Sequence, residues 1–186
     1  MRFRGVAPPM DGVDQVAVRP CLLEDAEALA LVAAATFLEA FAGMLPGPAI
    51  VQHCARHHIH RVYAKYLSED RVRAWLAVMR NGDAPVGYSM LTAPDLPVPD
   101  LSPSDIELKR IYLFSKFQGS GIGQQMMDVA IEESRKMGAR RLLLGVFAGN
   151  LRALRFYKRN GFTHLGARTF TVGTLVCDDF VLGRDL

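Results

Sequence analysis

Apolar residues recur along the chain with two different periods, and together these periods predict a mixed α/β protein. A period of three to four residues, typical of an amphipathic helix, predicts helices over 26–42, 49–67 with a break near 57–60, 121–137 and 150–159. A period of two, or a short unbroken apolar run, predicts strands over 15–19, 72–79, 85–92, 106–113, 141–147, 162–164, 169–171 and 175–182. Residues 1–14 show neither period, so we expect a loose terminal arm ahead of a single domain.

The predicted strand that ends at Leu113 changes phase in its middle. Its apolar positions are even-numbered at first, at Ile106 and Leu108, and odd-numbered later, at Ile111 and Leu113. Because side chains alternate along a strand, one extra residue is needed to keep both pairs on one face. The pattern therefore predicts a β-bulge near residues 109–110, which would re-aim the strand and free main-chain groups for a ligand.

Three glycines at alternate positions lie where the helix predicted over 121–137 begins, in the run Gln118-Gly119-Ser120-Gly121-Ile122-Gly123. Glycine lets the backbone approach a ligand closely, and the free N–H groups and dipole of a helix start attract anions. The turn therefore predicts a phosphate or pyrophosphate site, the alternative being a turn that serves packing alone. Its spacing, Q-x-x-G-x-G, lacks the Lys-Ser/Thr of a P-loop and the G-x-G-x-x-G of a dinucleotide site.

Composition and charge argue against nucleic-acid and membrane partners. Half of the 186 residues are apolar and the net charge is +3, an excess too small to indicate either partner, although it suits an anionic cofactor. The longest apolar run, 28–35, is too short to span a bilayer. Cys21, Cys54 and Cys177 are scattered without a metal-binding or CxxC spacing, which favours free thiols in a reducing, cytoplasmic setting.

A second motif lies downstream and reads N-x-x-A-x-x-F-Y-x-x-x-G-F from Asn150 to Phe162. The two motifs, in this order, resemble the acetyl-CoA-binding core of the GNAT superfamily of N-acetyltransferases, over about residues 106–186. The resemblance implies acetyl-CoA as cosubstrate, no metal, and an α/β fold whose central sheet is mixed and mostly antiparallel, with helices on both faces. It also implies that the sheet splays where the bulged strand and the strand over 141–147 part.

The resemblance assigns cofactor-binding roles to residues of both motifs. Main-chain amides of the glycine turn would hold the pyrophosphate, and main-chain groups of the bulged strand would bind the pantetheine arm. One of those N–H groups would polarise the thioester carbonyl. The residues expected at the cofactor are Ile111, Leu113, Gln118, Gly119, Ser120, Gly121, Ile122, Gly123, Asn150, Ala153, Phe156 and Tyr157.

Three side chains are candidates for proton transfer. Tyr157 is the expected general acid, because a phenol near the sulfur can protonate the departing thiolate. The alternative is an ordinary packed tyrosine on a helix face. Glu107 is one candidate base for the acceptor amine, or it positions a water, and Glu39 is another candidate base or a ligand for a cationic substrate. For each of them a solvated or ion-paired surface carboxylate is the alternative.

Several classes of acceptor stay open. The segments 36–41, 107–113 and 144–146 resemble the bacterial spermidine/spermine N-acetyltransferase branch and favour a small, polyamine-like primary amine, with Phe37 and Glu39 as expected substrate contacts. That branch tends to carry an acidic residue where Ala148-Gly149 stand here. The alternative acceptors are a protein N-terminus or lysine, and an aminoglycoside or amino acid. A CoA-binding regulatory module is the non-enzymatic alternative.

His53, His57, His58 and His60 form the one cluster in the sequence that could indicate a metal. His53 and His57 are spaced i,i+4, as two zinc ligands on a helix are, but no third ligand accompanies them. Histidines beside the substrate cleft are the favoured interpretation, and a metal-binding interaction protein is the alternative. The resemblance alone makes a homodimer the expected assembly.

Overall fold

The computed structural model describes residues 15–186, which form a seven-stranded sheet flanked by helices. The strands are β1 (Val16–Pro20), β2 (Arg73–Met79), β3 (Pro85–Thr92), β4 (Asp105–Leu113), β5 (Arg141–Phe147), β6 (Thr163–Val172) and β7 (Leu175–Asp185). The helices are α1 (Ala26–Phe41), α2 (Gly47–His57), α3 (His60–Leu67), α4 (Ile122–Lys136) and α5 (Leu151–Arg159). The predicted terminal arm, residues 1–14, lies outside the described residues.

Most predicted elements are confirmed within a few residues, and one prediction is wrong. The break expected near 57–60 separates α2 from α3. The two strands predicted over 162–164 and 169–171 are instead one continuous strand, β6. The pairing of β6 with β7 shifts register between His164 and Gly166, so the apolar alternation is interrupted and looks like two strands in the sequence.

The sheet is mixed and mostly antiparallel, as predicted. Its strand order is β1-β2-β3-β4-β5-β7-β6, and among the described strands β4 and β5 are the one parallel pair. Their pairing ends where Glu107 lies opposite Leu143, whereas β4 stays paired with β3 to Leu113 and β5 with β7 to Phe147. The sheet therefore splays between β4 and β5, and the facing edges of both strands are left unpaired.

The β-bulge predicted in β4 lies at Lys109. Met90 of β3 is opposite Arg110 and Leu91 is opposite Leu108, so Lys109 has no partner in the register. The apolar residues before and after the bulge all pack on the α4 side of the sheet: Ile106, Leu108, Ile111 and Leu113. The phase switch in the sequence is thus explained by one extra residue.

One face of the sheet is covered by α4 and α5. Ile122, Met126 and Met127 of α4 are fully buried, and each contributes roughly 1.5–3 kcal/mol of transfer free energy. These helices pack on strand residues that include Trp75, Leu91, Leu142, Leu144 and Leu182. This packing fixes the first turn of α4 beside the splay. No helix in the described part of the chain is both long and apolar enough to cross a membrane.

The other face is covered by α1 and α3. Ala74, Leu76 and Val78 of β2 pack here, and they alternate with residues that pack on the α4 side. Where this face approaches the splay, its side chains are aromatic rather than aliphatic: Phe37, Tyr63, Tyr88 and Tyr112. The open part of β4 is therefore bordered by aromatic rings, three of which carry a phenolic hydroxyl.

Candidate active site

The glycine turn is open, and its main-chain N–H groups are free. Gly119 and Gly121 have φ of +89° and +91°, which side chains other than glycine rarely adopt. Along residues 119–124, no main-chain N–H group donates to another described residue. A Cβ added at Gly119 or Gly123 would meet no atom within 4 Å. The turn thus combines free donors, open space and the positive end of the α4 dipole.

Two hydrogen bonds hold the turn beside the splay. The Ser120 hydroxyl donates to the Phe117 carbonyl at 2.6 Å, and Gln118 Nε2 donates to the Leu113 carbonyl at 2.8 Å. The side chain of Gln118 therefore connects the turn to the last residue of β4. Both residues were predicted at the cofactor, and their side chains also have this local structural role.

A further contact at the start of α4 was not predicted. Gln124 Nε2 donates to Asn160 Oδ1 at 2.7 Å, and Asn160 Nδ2 donates back to Gln124 Oε1 at 3.3 Å. This amide pair joins the start of α4 to the end of α5 and so fixes the two motif helices relative to each other. No local pattern marks it, because the two residues are 36 positions apart.

Main-chain groups at the end of β4 point into the splay. The Phe114 N–H donates to the Val86 carbonyl at 3.0 Å and so points toward β3. Because successive main-chain groups alternate in direction, those of Leu113 and Ile111 point away from β3. Ile111 and Leu113 therefore present their N–H groups at the unpaired edge, where the predicted pantetheine arm would lie.

Tyr157 is a buried residue of α5. Its ring lies 5.6 Å from the ring of Phe156 and 5.8 Å from that of Phe162. Burial raises its pKa well above the ordinary value, and Tyr112 of β4 raises the pKa further. The phenol is therefore protonated at neutral pH, which a general acid requires. Its assignment as the acid stays a prediction.

Asn150, Ala153 and Phe156 form one side of α5. Asn150 caps the helix, since its Oδ1 accepts the Ala153 N–H at 3.0 Å. Ala153 and Phe156 pack partly on the core beneath α5. The second motif therefore includes a helix cap and packing residues, and contact of these residues with the cofactor stays a prediction.

Glu107 lies at the last paired position before the splay and is 2% exposed. Its Oε2 accepts the Asp95 N–H at 2.8 Å and lies 3.6 Å from Lys109 Nζ. No described residue donates to Oε1, so this oxygen remains for a water or a substrate. Both interpretations from the sequence, a base and an ion-paired carboxylate, are compatible with this arrangement.

The two predicted substrate contacts lie in different surroundings. Glu39 accepts two hydrogen bonds from Ser115, from its N–H at 2.8 Å and its hydroxyl at 2.9 Å. Phe37 is buried, and its ring stacks on His53 at 4.5 Å and lies 6.5 Å from Tyr112. Contact of either residue with an acceptor stays a prediction.

Arg110 was not among the predicted site residues, but it lies on the same face of β4 as Glu107. Its Nη1 donates to the Lys109 carbonyl at 2.9 Å. Burial lowers the pKa of Arg110, but surrounding phenols raise it, and the result lies above the ordinary value. These phenols belong to Tyr63, Tyr66, Tyr88 and Tyr112. The predicted bulge was the signal for this position, because positions 107 and 110 would otherwise face opposite sides of the sheet.

His53 and His58 belong to the same aromatic cluster. Burial, with smaller contributions from neighbouring cationic groups that include Arg110, lowers the pKa of His53 to about 4 and that of His58 to about 3. His58 Nδ1 lies 2.9 Å from the Tyr63 hydroxyl. His53 Nδ1 and His58 Nε2 are buried without a hydrogen-bond partner among the described residues. In residues 15–186 no group of three or more side chains could hold a metal ion.

Comparison with known proteins agrees with this geometry. The model of the acetyltransferase (GNAT) family matches residues 39–162. An uncharacterised N-acetyltransferase of Mycobacterium tuberculosis is 34% identical over 164 residues, which cover 88% of this chain and 99% of that protein. The chain belongs to the GNAT family, and it is an acetyl-CoA-dependent N-acetyltransferase.

Two further similarities are to a solved structure and to an enzyme whose substrate is named. The PaiA N-acetyltransferase of Thermoplasma acidophilum, solved in complex with coenzyme A, superposes with a TM-score of 0.73 at 19% identity, over 92% of this chain and 99% of that one. This likeness supports the fold. A spermine/spermidine N(1)-acetyltransferase of Bacillus subtilis is 31% identical over 64 residues, which cover 34% of this chain and 42% of that protein.

Proposed function

We propose that the protein transfers the acetyl group of acetyl-CoA to the primary amine of a small molecule. The observation that carries this proposal is the open glycine turn at the start of α4, with its free N–H groups beside the unpaired edge of β4. A pyrophosphate bound at the turn would direct the pantetheine arm along Leu113 and Ile111. The thioester would then lie between β4 and Tyr157.

The reaction uses groups on both sides of the splay. The amine nitrogen attacks the thioester carbonyl carbon and the carbon–sulfur bond breaks. A main-chain N–H of Ile111 or Leu113 stabilises the oxyanion that develops. Tyr157 donates its proton to the departing thiolate, and the amine loses a proton to Glu107 Oε1, directly or through a water. The products are the N-acetylated amine and free CoA.

A small acceptor is favoured over a protein because several elements converge on the face of β4 that α1 and α3 cover, which we call the acceptor face. The ring of His53 lies 4.5 Å from that of Phe37 and 5.8 Å from that of Phe170, so α1, α2 and β6 meet here. His53 and His58 are 2% and 5% exposed, respectively. This packing narrows the access that a folded protein substrate would need.

Polyamines are one candidate class of small acceptor, supported by the local match to the Bacillus subtilis relative. A polycation would have to lie near Arg110, however, and Glu39 already binds Ser115. The charge on the acceptor face therefore favours a different small amine.

We further propose that the enzyme is a cytoplasmic, single-domain protein that forms a homodimer. Free thiols at Cys21, Cys54 and Cys177 support a reducing compartment. The dimer rests on the family resemblance, and light scattering of the purified protein tests it.

An acetylation assay with detection of free CoA thiol, across a panel of primary amines, tests the transfer. Calorimetric titration of acetyl-CoA into the Gly123→Asp variant tests the binding site. The new carboxylate would lie beside the bound phosphates, and we expect at least about 100-fold weaker binding, or about 2.7 kcal/mol. Thermal unfolding should be unaffected or shifted upward, because an acidic residue suits the first turn of a helix.

Gly123→Ala is the matched control, since a methyl group at this position meets open space. It should bind acetyl-CoA nearly as the parent does. Equal affinity of the Gly123→Asp variant and the parent would contradict the assignment of the turn. Absence of CoA release with every amine would contradict the transfer.

A further inference from the structure

Arg110 is a half-buried cation that has no anionic partner. In residues 15–186 no carboxylate lies within ion-pair distance of its guanidinium, whose one hydrogen bond goes to the Lys109 carbonyl. Charges removed from water are normally paired, because desolvation favours the neutral or paired state. A guanidinium has five N–H donors in a planar fork that matches a carboxylate. Most of these donors remain available at Arg110.

The bulge at Lys109 turns this cation toward the acceptor side. Arg110 is paired in register with Met90, and Tyr112 is paired with Tyr88, so all four side chains lie on the face covered by α1 and α3. Without the extra residue, Arg110 would point toward α4 and the core beneath it. The same bulge that opens β4 for the cofactor therefore supplies a positive charge to the opposite face.

Uncharged polar groups surround the guanidinium. The phenols of Tyr88 and Tyr112 share its face of the sheet, and with those of Tyr63 and Tyr66 they raise the pKa of Arg110, which in turn contributes to the lowered pKa values of His53 and His58. His53 Nδ1 and His58 Nε2 have no partner although both side chains are buried. These two unsatisfied atoms are a second, independent indication that a polar ligand completes the cluster.

Three carboxylates of the elements around Arg110 already have other partners. Glu107 lies 3.6 Å from Lys109 and accepts the Asp95 N–H. Glu39 binds Ser115. Asp179, which interacts with Tyr112, pairs with Arg168 at 3.3 Å. None of them neutralises Arg110, so the missing anion has to come from outside the described residues.

We propose that Arg110 binds a carboxylate of the acceptor, so that the acceptor is a primary amine that also carries a carboxylate, such as an amino acid. This inference rests on the proposed function. Two register positions on β3 separate the partners of Glu107 and Arg110, or about 7 Å along the sheet. A zwitterion fits between them, with its amine toward Glu107 Oε1 and its carboxylate toward Arg110. His53 and His58 complete the polar contacts of the acceptor.

The test compares acceptors that differ in the carboxylate alone. Matched pairs are phenylalanine with phenethylamine, tyrosine with tyramine and leucine with 3-methylbutylamine, and spermidine serves as the polycationic probe. Each is assayed for CoA release with the parent, Arg110→Gln, Arg110→Lys and Arg56→Gln. Arg56 is an exposed cation of α2 near His57, and it controls for a general loss of positive charge.

We expect higher kcat/KM for the amino acid than for the amine in at least one pair. Arg110→Gln should lower kcat/KM for the amino acid by about 30-fold or more, mostly through KM, and should leave kcat/KM for the decarboxylated amine within about threefold. Arg110→Lys should restore part of the loss, and Arg56→Gln should change neither substrate. Preference for spermidine or for the decarboxylated amines, or an equal loss on both members of a pair, would overturn the proposal.

A binding measurement separates failure of this inference from failure of the proposed function. Calorimetry with N-acetyl-phenylalanine in the presence of CoA reports binding at the acceptor site even if no amine turns over. Binding by the parent that Arg110→Gln abolishes supports the inference. Absence of binding by the parent, or equal binding by both proteins, contradicts it. If no amine causes release of CoA, the proposed acetyl transfer is contradicted, and the binding measurement still decides the inference about Arg110.

Discussion

Two arginines on neighbouring strands of the sheet differ in how their charges are satisfied. Arg141, at the start of β5, is 9% exposed and pairs with Asp105 at 2.7 Å and with Asp100 at 3.1 Å. Arg110, in the second half of β4, is paired with no described carboxylate. The ion pairs of Arg141 join β4 to β5, whereas the guanidinium of Arg110 stays available for a ligand. The fold can therefore pair a semi-buried guanidinium with carboxylates, but it does not do so at the splay.

The two halves of β4 differ in the same way. Its first half pairs with β5, and the ion pairs of Asp105 strengthen this closed end. Burial alone would raise the pKa of Asp105, but hydrogen bonds from Arg141 and Ser102 hold it below its ordinary value. Its second half has a free edge, a bulge and an unpaired cation. Stability is thus concentrated at one end of the strand, and free hydrogen-bonding groups are concentrated at the other.

Replacing each arginine by methionine tests this comparison most strongly. Arg141→Met leaves the buried carboxylate of Asp105 with only the longer contact to Arg140, at 3.6 Å, and the Ser102 N–H, so we expect a loss of roughly 3 kcal/mol in the free energy of unfolding. Arg110→Met removes a cation without orphaning a carboxylate, and its effect should stay within about 1 kcal/mol. Denaturant unfolding measures both. Equal destabilisation by the two substitutions would show that Arg110 has a structural partner after all.

Tyr157→Phe probes the catalytic side of the splay. The substitution removes the proton donor and keeps the ring that packs on Phe162, so kcat should fall by about 100-fold or more. The dissociation constant of acetyl-CoA should stay within about threefold. Steady-state kinetics and calorimetry provide the two values. An unchanged kcat would assign protonation of the thiolate to another group or to water.

As pH falls, we expect the histidine cluster to lose its contribution to stability before the ion pairs at the closed end of β4 lose theirs. The pKa values of His53 and His58 are lowered to about 4 and about 3, so the unfolded chain binds their protons first as pH falls. The free energy of unfolding should therefore fall below pH 6.5, by up to about 1.4 kcal/mol per pH unit for each histidine, until the folded protein is protonated too.

The pairing of Asp105 with Arg141 should persist over this range, because the pKa of that carboxyl is lowered. The double variant His53→Asn/His58→Asn should flatten the pH profile between pH 6.5 and 4, measured by denaturant unfolding against the parent. A profile as steep as that of the parent would show that other groups take up the protons.

Gly123→Ala should have the smallest effect. Gly123 lies in the first turn of α4 with open space around it, so alanine should stabilise the protein by up to about 1 kcal/mol. Gly121→Ala, at a φ of +91°, should instead destabilise it by about 1–2 kcal/mol. Thermal unfolding of the pair measures the contrast. Equal effects would contradict the left-handed backbone at Gly121.

The parts of the site that depend on local backbone rules were predicted from the sequence. Alternating glycines predicted the open turn, and the switch from even to odd apolar positions predicted the bulge at Lys109. The same rule failed at β6, where a register shift near Leu165 interrupts the alternation inside one strand. A phase change alone does not distinguish a bulge from a gap between strands.

The surroundings of individual side chains could not be predicted, because they depend on contacts between distant residues. Glu39 was expected at the acceptor, but its carboxylate binds Ser115, 76 positions away. The phenols around Arg110 come from α3, β3 and β4, and no local pattern connects them. Whether a charge is paired depends on tertiary packing, and this is the property that separates Arg110 from Arg141.

The most direct test of the account is amide NMR of the ¹⁵N-labelled protein during a titration with acetyl-CoA. We predict that the N–H resonances of residues 119–124 move downfield as these groups donate to the pyrophosphate, together with those of Ile111 and Leu113. The resonances of Leu142 and Leu143, at the closed end of the splay, should barely change. Saturable binding that leaves residues 119–124 unshifted, or shifts concentrated at the closed end, would contradict the account.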